Sequence, residues 1–262
     1  MKQTFFKTSL LITSSMFLFC VCIQAQIVVG LDNWFNHEAR NGEAFHYLWN
    51  DTTDSGYSQW GKIFTDKGAK LSTLKKPEAK ELNKIQVYII VDPDTTKENP
   101  TPNYILNEDI TIISKWVRNG GVLIILANDA PNCEFSHLNN LTSKFGMVFN
   151  HVSLKPVQGK QWEMGAFTKL PSHPVFEGVN KIYMKEVSSL SLLGKAKPVL
   201  QENNIIYMAE CRFGKGFVFA VGDPWIYNEY IDHSRLTDDF ENRKAAENLT
   251  SYLLKMVNFK KK

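Results

Sequence analysis

Four continuous apolar runs limit what this chain can fold into: residues 27–31 (IVVGL), 85–91 (IQVYIIV), 122–126 (VLIIL) and 217–222 (FVFAVG). None alternates polar with apolar, as a strand with one wet face would. Each therefore reads as a strand covered on both sides, which a parallel sheet between helical layers requires. Helical segments stand between them. Ser58 opens SQWGKIFTDKG, closed by Gly68, and 69–74 supplies a further strand. Asn107 is placed to cap NEDITIISKWVRNGG, with acids in its first turn and Lys115 and Arg118 towards its end. A third helix is predicted around 137–145, ended by Gly146. Strand–helix alternation of this kind implies right-handed crossovers. From Met147 the strands become short and turn-separated: FNHVSL, KIYMKEV, LSLLG, KPVLQ and NIIYMAECRF. The turn FGKG joins the last of these to FVFAVGD as a hairpin. An amphipathic helix over about 239–259 closes the chain, with Ala245, Ala246, Leu249, Tyr252, Leu253 and Met256 on one face. The expected fold class is α/β, a doubly wound, mostly parallel sheet with an antiparallel β elaboration in the C-terminal half.

Residues 1–25 have the form of a secretory signal peptide: Lys2 and Lys7, a short apolar stretch over 10–23, and Ala25 before the cut. One domain is then expected over 26–262, exported and periplasmic, with no membrane span. The whole chain has 30 basic and 27 acidic residues, net +3. Removing the leader takes two lysines and no acid, leaving +1. That balance gives no electrostatic footprint for nucleic acid. Cys20 and Cys22 leave with the leader; whether Cys133 and Cys211 pair is open.

In an open parallel sheet, ligands bind beyond the carboxyl ends of the strands. Each apolar run empties there into polar residues. The four segments are Asp32-Asn33-Trp34-Phe35-Asn36-His37-Glu38, Asp92-Pro93-Asp94, Asn128-Asp129 with Cys133 and Glu134 further on, and Asp223-Pro224-Trp225-Ile226-Tyr227-Asn228-Glu229-Tyr230. Aromatic rings stack on sugar faces, and Asp, Asn and Glu take up hydroxyl hydrogen bonds, so the collection suits carbohydrate. The plainer alternative has Asp32, Asp92, Asp129 and Asp223 capping turns, with Trp34, Trp225 and Tyr230 in the core. No closed zinc pattern, nucleophile elbow or glycine-rich phosphate loop is present. No cofactor is required, although Asp92, Asp94 and Asp129 offer oxygen ligands for a divalent cation.

The segments WVRNGGVLIIL, LNNLTSKFGM and GKGFVFAVGDPWIYNEY resemble the class I glutamine-amidotransferase-like (flavodoxin-like) fold. VVGLDNWFNHE, YIIVDPDTTKENPTPNYI and VQGKQWEMGAF further resemble an exported branch of it in polysaccharide-degrading Bacteroidetes. That branch stands alone or beside unsaturated uronyl hydrolases. The run after VLIIL reads Ala127-Asn128-Asp129, without the amidotransferase cysteine, so glutamine hydrolysis is not expected. The branch is similar to the oligosaccharide dehydratases of ulvan-type degradation, hydro-lyases of the EC 4.2.1 type. The resemblance implies removal of water from a non-reducing-end glucuronic or iduronic acid. The 4,5-unsaturated product then passes to the neighbouring hydrolases. The alternative is a non-catalytic carbohydrate-binding accessory protein.

Such an elimination needs a base for the proton alpha to the carboxylate, donors for the charge that builds there, and an acid for the departing hydroxyl. His37 is the expected base, and Tyr227 or Tyr230 the acid. Asn33, Asn128 and Asn228 are candidate donors to the carboxylate, and Trp34 or Trp225 candidates to stack on the ring. Glu38, Asp129, Asp223 and Glu229 complete the expected binding set. So acidic a crevice repels an anionic sugar unless a cation binds, Arg40, Lys160 or Arg235 reaches in, or the acids face away.

Overall fold

The four apolar runs become neighbours in one nine-stranded sheet. The computed structural model describes residues 26–40 and 42–258, so the expected signal peptide lies outside the described residues. In chain order the elements are β1 (Val28–Asp32), β2 (Ala39–Arg40), β3 (Glu43–Ala44), α1 (Ser58–Asp66), β4 (Lys70–Leu74), α2 (Ala79–Leu82) and β5 (Val87–Val91). There follow α3 (Asn107–Arg118), β6 (Val122–Leu126), α4 (Phe135–Thr142), β7 (Met147–Phe149), β8 (Ala166–Phe167), β9 (Ile182–Tyr183) and β10 (Leu190–Leu192). The chain continues through β11 (Lys197–Glu202), β12 (Ile205–Phe213), β13 (Gly216–Val221), α5 (Asn228–Ile231) and α6 (Asn242–Asn258).

The sheet runs β4-β1-β5-β6-β13-β12-β10-β7, with β11 added along β12. Its first five strands are mutually parallel. β12, β11, β10 and β7 pair antiparallel, which is the expected elaboration of the C-terminal half. KIYMKEV departs from expectation: Ile182–Tyr183 pairs with Ala166–Phe167 in a separate two-stranded ribbon.

Apolar side chains on alternate residues fill two layers. Val87, Ile89, Val91, Ile124 and Leu126 pack with Trp60 and Phe64 of α1 and Leu249 and Leu253 of α6. Tyr88, Ile90, Leu123 and Ile125 meet Ile113 and Val117 of α3 and Leu138 and Leu141 of α4 on the other face. Helices on both faces explain why these strands carry no polar alternation. Among the described residues no helix is long and apolar enough to cross a membrane. Cys133 and Cys211 are both buried and free.

Four helix starts differ from expectation, either in where the helix begins or in which residue caps it. At α1 no Ser58 cap forms, and the Gln59 N–H donates to Asn228 Oδ1 at 2.9 Å, across 169 residues. At α3 the cap position is Leu106, whose N–H donates to Asp109 Oδ2 at 2.9 Å. α4 begins at Phe135 because the Glu134 carboxylate accepts from the Ser136 and His137 N–H groups. α6 starts at Asn242, whose amide pairs with both backbone groups of Tyr183.

β1 connects outward to β4 through α1, whereas β5 connects the other way to β6 through α3. The carboxyl ends of β1 and β5 are therefore the point where the winding direction changes, and the loops above them part to leave a crevice. The exit of β13 is fixed by Gly222: a Cβ there would lie 1.9 Å from the Ser188 carbonyl oxygen, so only glycine passes.

Candidate active site at the carboxyl edge of the sheet

The loop after β1 is shaped by Asp32. Its Oδ2 accepts the N–H groups of Trp34 (3.1 Å), Phe35 (2.7 Å) and Asn36 (3.3 Å), and its Oδ1 accepts the Tyr88 hydroxyl at 2.5 Å. Asp32 thus caps a turn rather than facing ligand. Burial nevertheless pushes its carboxyl up to about 6. The turn swings the chain back over β5, where Asn36 Nδ2 donates to the Asp92 carbonyl at 2.7 Å and the Asp94 N–H to the Phe35 carbonyl at 2.8 Å.

This stitching presents His37 to Asp94. His37 Nδ1 lies 3.2 Å from Asp94 Oδ2, an oxygen that also accepts the His37 N–H (3.1 Å) and the Asn99 amide (2.7 Å). The same Asn99 nitrogen is 2.9 Å from His37 Nε2. With Nδ1 protonated toward Asp94, Nε2 carries the lone pair and accepts from Asn99. The Asp94 side chain is fully buried, and burial raises its carboxyl above the usual range; the His37 side chain is 32% exposed. An imidazole held by a buried carboxylate, with one edge toward solvent, is the arrangement a general base needs.

Beneath it Asp92, at a φ of +39°, turns its carboxylate inward. Oδ2 accepts the Tyr47 hydroxyl (2.7 Å) and the Asn128 amide (2.8 Å), while buried Oδ1 has no hydrogen-bond partner among the described residues. Burial, then the nearby charge of Glu98, holds Asp92 well above the usual carboxylate range. Glu98 is half-buried and also raised, by burial first and then by the charge of Glu38. Its Oε2 accepts the Thr95 hydroxyl at 3.0 Å. Glu38 Oε1 sits 3.4 Å from His46 Nδ1 and from the Asn36 amide. A depression of about 530 Å3 opens beside this group, lined by Thr95, Tyr104, Cys133, Glu134 and His151 among others. Tyr104 stacks on His137 at 4.5 Å near it.

The remaining expected residues divide. Asn33 and Trp34 are half-buried on the β1 loop, with the Lys76 ammonium 5.7 Å from the Trp34 ring centre. Asn128 lies at the site but is committed, its amide to Asp92 and its Oδ1 to the Asp129 N–H. Asp129 is a turn cap, bonded to the Asn132 amide and backbone. Asp223 is buried, its Oδ2 accepting the Lys185 N–H; Oδ1 is unpartnered, and burial holds the carboxyl well above its usual range.

Three expectations in the β13 loop are corrected. Trp225 is 0% exposed in the core and presents no face to a sugar. Tyr230 is 2% exposed, wedged edge-on between Tyr183 and Tyr227, and burial raises its hydroxyl far above the range of a working acid. Asn228 spends its amide on the Asp51 and Thr53 carbonyls and its oxygen on α1, so it anchors a loop and has no hydrogen for a carboxylate. Tyr227 is half-buried, stacked on Tyr47 at 5.8 Å, and burial followed by the Asp223 charge raises its hydroxyl too, which disfavours it as the acid. Glu229 is tied to Arg235 at 3.0 Å.

Arg235 is also paired with Asp54, and Arg40 sits 5.3 Å from the Phe45 ring centre on the β2–β3 hairpin. Asp92, Asp94 and Asp129, the oxygen ligands the sequence offered a divalent cation, stand on two separate loops, the first two after β5 and the third after β6. Among the described residues no group of three or more His, Cys, Asp or Glu side chains converges to hold a metal. One oxygen of each aspartate is engaged by Tyr47, Asn99, Asn128, Asn132 or the His37 backbone, while Oδ1 of Asp92 and of Asp94 has no hydrogen-bond partner among the described residues. Sequence reasoning missed Tyr47, His46, Glu98, Asn99 and Tyr104, which come from loops between elements. The run TTKENPTPN, holding Glu98 and Asn99, offered only its polar character as a signal.

No protein-family model matches the chain, and no curated protein matches it. Solved structures share its fold. The N-terminal domain of mmIFT52 superimposes with a TM-score of 0.65 at 14% identity, over 87% of this chain and 97% of that one. Cytoplasmic protein STM1381 from Salmonella typhimurium LT2 gives 0.56 at 11% identity, over 88% and 99%. A cold-adapted β-galactosidase from Rahnella sp. R3 gives 0.52 at 13% identity, over 88% of this chain and 31% of the galactosidase. At such identities the likeness is one of fold alone.

Proposed function

We propose that the chain is an exported oligosaccharide dehydratase with a doubly wound, amidotransferase-like sheet. Its substrate is an oligosaccharide of the ulvan type ending in a uronic acid, and its product feeds unsaturated uronyl hydrolases. The observation that carries the reading is the pairing of His37 with buried Asp94 at the strand-order reversal. His37 Nε2 takes the C5 proton, alpha to the carboxylate, while Asp94 stabilises the imidazolium. The electrons freed form the C4=C5 bond as the C4–O bond breaks. Glu98 replaces the tyrosines as acid: burial raises its carboxyl and so favours the protonated form, which gives its proton to the departing hydroxyl, and that leaves as water. Asn33, whose amide makes one long 3.3 Å bond to the Asn36 carbonyl, retains a hydrogen for the substrate carboxylate. Trp34 is the half-buried indole that remains for stacking.

The test is incubation with saturated uronate-capped oligosaccharides while following the ultraviolet absorbance of the unsaturated product. The native protein produces it, whereas His37→Ala and Glu98→Gln do not. Turnover undiminished in His37→Ala would remove the mechanism. One observation favours the second reading, an accessory sugar-binding protein: Asn99 covers His37 Nε2 in the ligand-free protein. Binding without product by the native chain would establish that reading instead.

A further inference from the structure

Along α3 the protein carries a groove of reversed charge. A depression of about 690 Å3 lies between α3 and α4, lined by Thr111, Ser114, Asn140, Ser143, Arg118 and Lys144 among others. A second, of about 420 Å3, shares Arg118, Lys144 and Phe213 with it and extends past Leu193 and Lys195. The two form one continuous channel, and no Asp or Glu lines either part. It runs along α3 from Asn107 to Arg118, and its three cations gather where α3 ends and the β12–β13 turn begins, at the amino edge of the parallel strands.

The channel is built rather than incidental. The Arg118 guanidinium lies 4.5 Å from the centre of the Phe213 ring, and that ring stands edge-on to Phe145 at 5.0 Å. Stacking fixes the planar cation, so less rotamer freedom is lost when it pairs with an anion. The Arg118 carbonyl, which would otherwise present the negative end of α3, accepts the Lys215 N–H at 2.9 Å. Gly214 makes that approach possible, since a Cβ there would meet the same carbonyl oxygen at 2.5 Å. Leu193, 66% exposed, offers an apolar rim.

We propose that this channel binds a strand of anionic polysaccharide, independently of the chemistry at the crevice. Arg118, Lys144 and Lys195 meet carboxylate or sulfate groups, and Thr111, Ser114, Asn140 and Ser143 meet sugar hydroxyls. Hydroxyls and amides between cations suit a glycan better than single-stranded nucleic acid, which is held by base stacking on open aromatic rings. The aromatic ring that both depressions share, Phe213, is covered by Arg118.

The test is electrophoresis of the full chain through native gels containing polygalacturonate, dextran sulfate or unsubstituted dextran. The expected result is retardation by polygalacturonate, dextran sulfate or both, and none by dextran. Which polyanion retards it distinguishes carboxylate from sulfate ester as the recognised group. Lys144→Glu with Lys195→Glu reverses two exposed contacts and weakens retention about ten-fold. Arg118→Gln weakens it without a charge reversal. The same reversal at Lys67 and Lys70, beside the far edge strand, leaves retention unchanged. Absence of retardation, equal loss in both double variants, or tighter retention by oligo(dT) than by either polyanion would overturn the proposal.

Discussion

Asp32 sets the turn that aims His37, and its replacement by Asn gives a sharp test of how that turn is held. Four hydrogen bonds reach its carboxylate, yet burial lifts the carboxyl from 3.8 to about 6. That gap corresponds to about 3 kcal/mol. Between those two values the native protein keeps a proton that the unfolded chain has lost, so stability falls as pH rises. The contribution is fully present below 3.8 and gone above about 6. Asn keeps an oxygen for the Trp34, Phe35 and Asn36 N–H groups, turns its amide toward the Tyr88 oxygen, and does not titrate. Urea unfolding of both proteins at about pH 4 and about pH 7 isolates the effect, because every other acid is common to the pair. The stability of the native protein minus that of Asp32→Asn is expected to fall by about 2 kcal/mol across that interval. Asp32→Ala leaves three N–H groups and a hydroxyl without an acceptor, and costs more than about 3 kcal/mol even at neutral pH. A difference independent of pH, or one that grows toward neutrality, would refute the reasoning by showing that the hydrogen bonds outweigh burial.

Asp94→Asn removes the charge that stabilises imidazolium, and product formation drops by roughly 10²–10⁴ with substrate binding retained. Asn99→Ala uncovers His37 Nε2 and leaves the rate unchanged or higher; a rate loss on that change would make Asn99 part of the chemistry. Because burial raises Glu98, the proton donor is present at low pH and lost as pH rises through its elevated value. The alkaline limb of the pH–rate profile therefore moves when Glu38→Gln removes the neighbouring charge. Trp225→Phe costs about 1.5 kcal/mol or less, because the buried indole N–H has no partner, and calorimetry shows unchanged sugar affinity. Gly222→Ala drives a Cβ onto the Ser188 carbonyl and destabilises by more than about 3 kcal/mol in chemical denaturation.

The strands were legible because burial on both faces writes itself as unbroken apolar sequence, and 122–126 and 217–221 pair in register along their whole length. The loop origins at one edge followed from parallelism, since strands that run together deliver their carboxyl ends to the same side. Helix starts were less legible. Ser58 and Asn107 have the right chemistry for caps, but Asn228 and Asp109 perform the work, one from 169 residues away. Side-chain direction was illegible for the same reason. Trp225, Tyr230 and Asn228 follow β13 just as Trp34 follows β1, yet α5 folds the first three into the core while Trp34 stays half-buried. A polar or aromatic residue after a strand marks an edge. Whether it faces ligand depends on what the next element covers.

The same distinction bears on the electrostatic objection to an anionic substrate. Counted from sequence, the crevice holds Glu38, Asp92, Asp94, Asp129 and Asp223, a set that would repel a uronate. In the folded chain burial raises Asp92 and Asp223 well above the usual range, and it raises Glu98 as well, while Asp94 serves as the carboxylate that faces His37. A raised carboxyl favours its neutral form, which weakens charge repulsion and can donate a hydrogen bond. Desolvation thus makes part of an acidic edge more tolerant of an acidic ligand. Meanwhile the exposed cations Arg118, Lys144 and Lys195 stand at the other edge, where no carboxylate lines their channel. The near-neutral total conceals two regions of opposite character, one rich in buried carboxyls and the other lined by exposed cations.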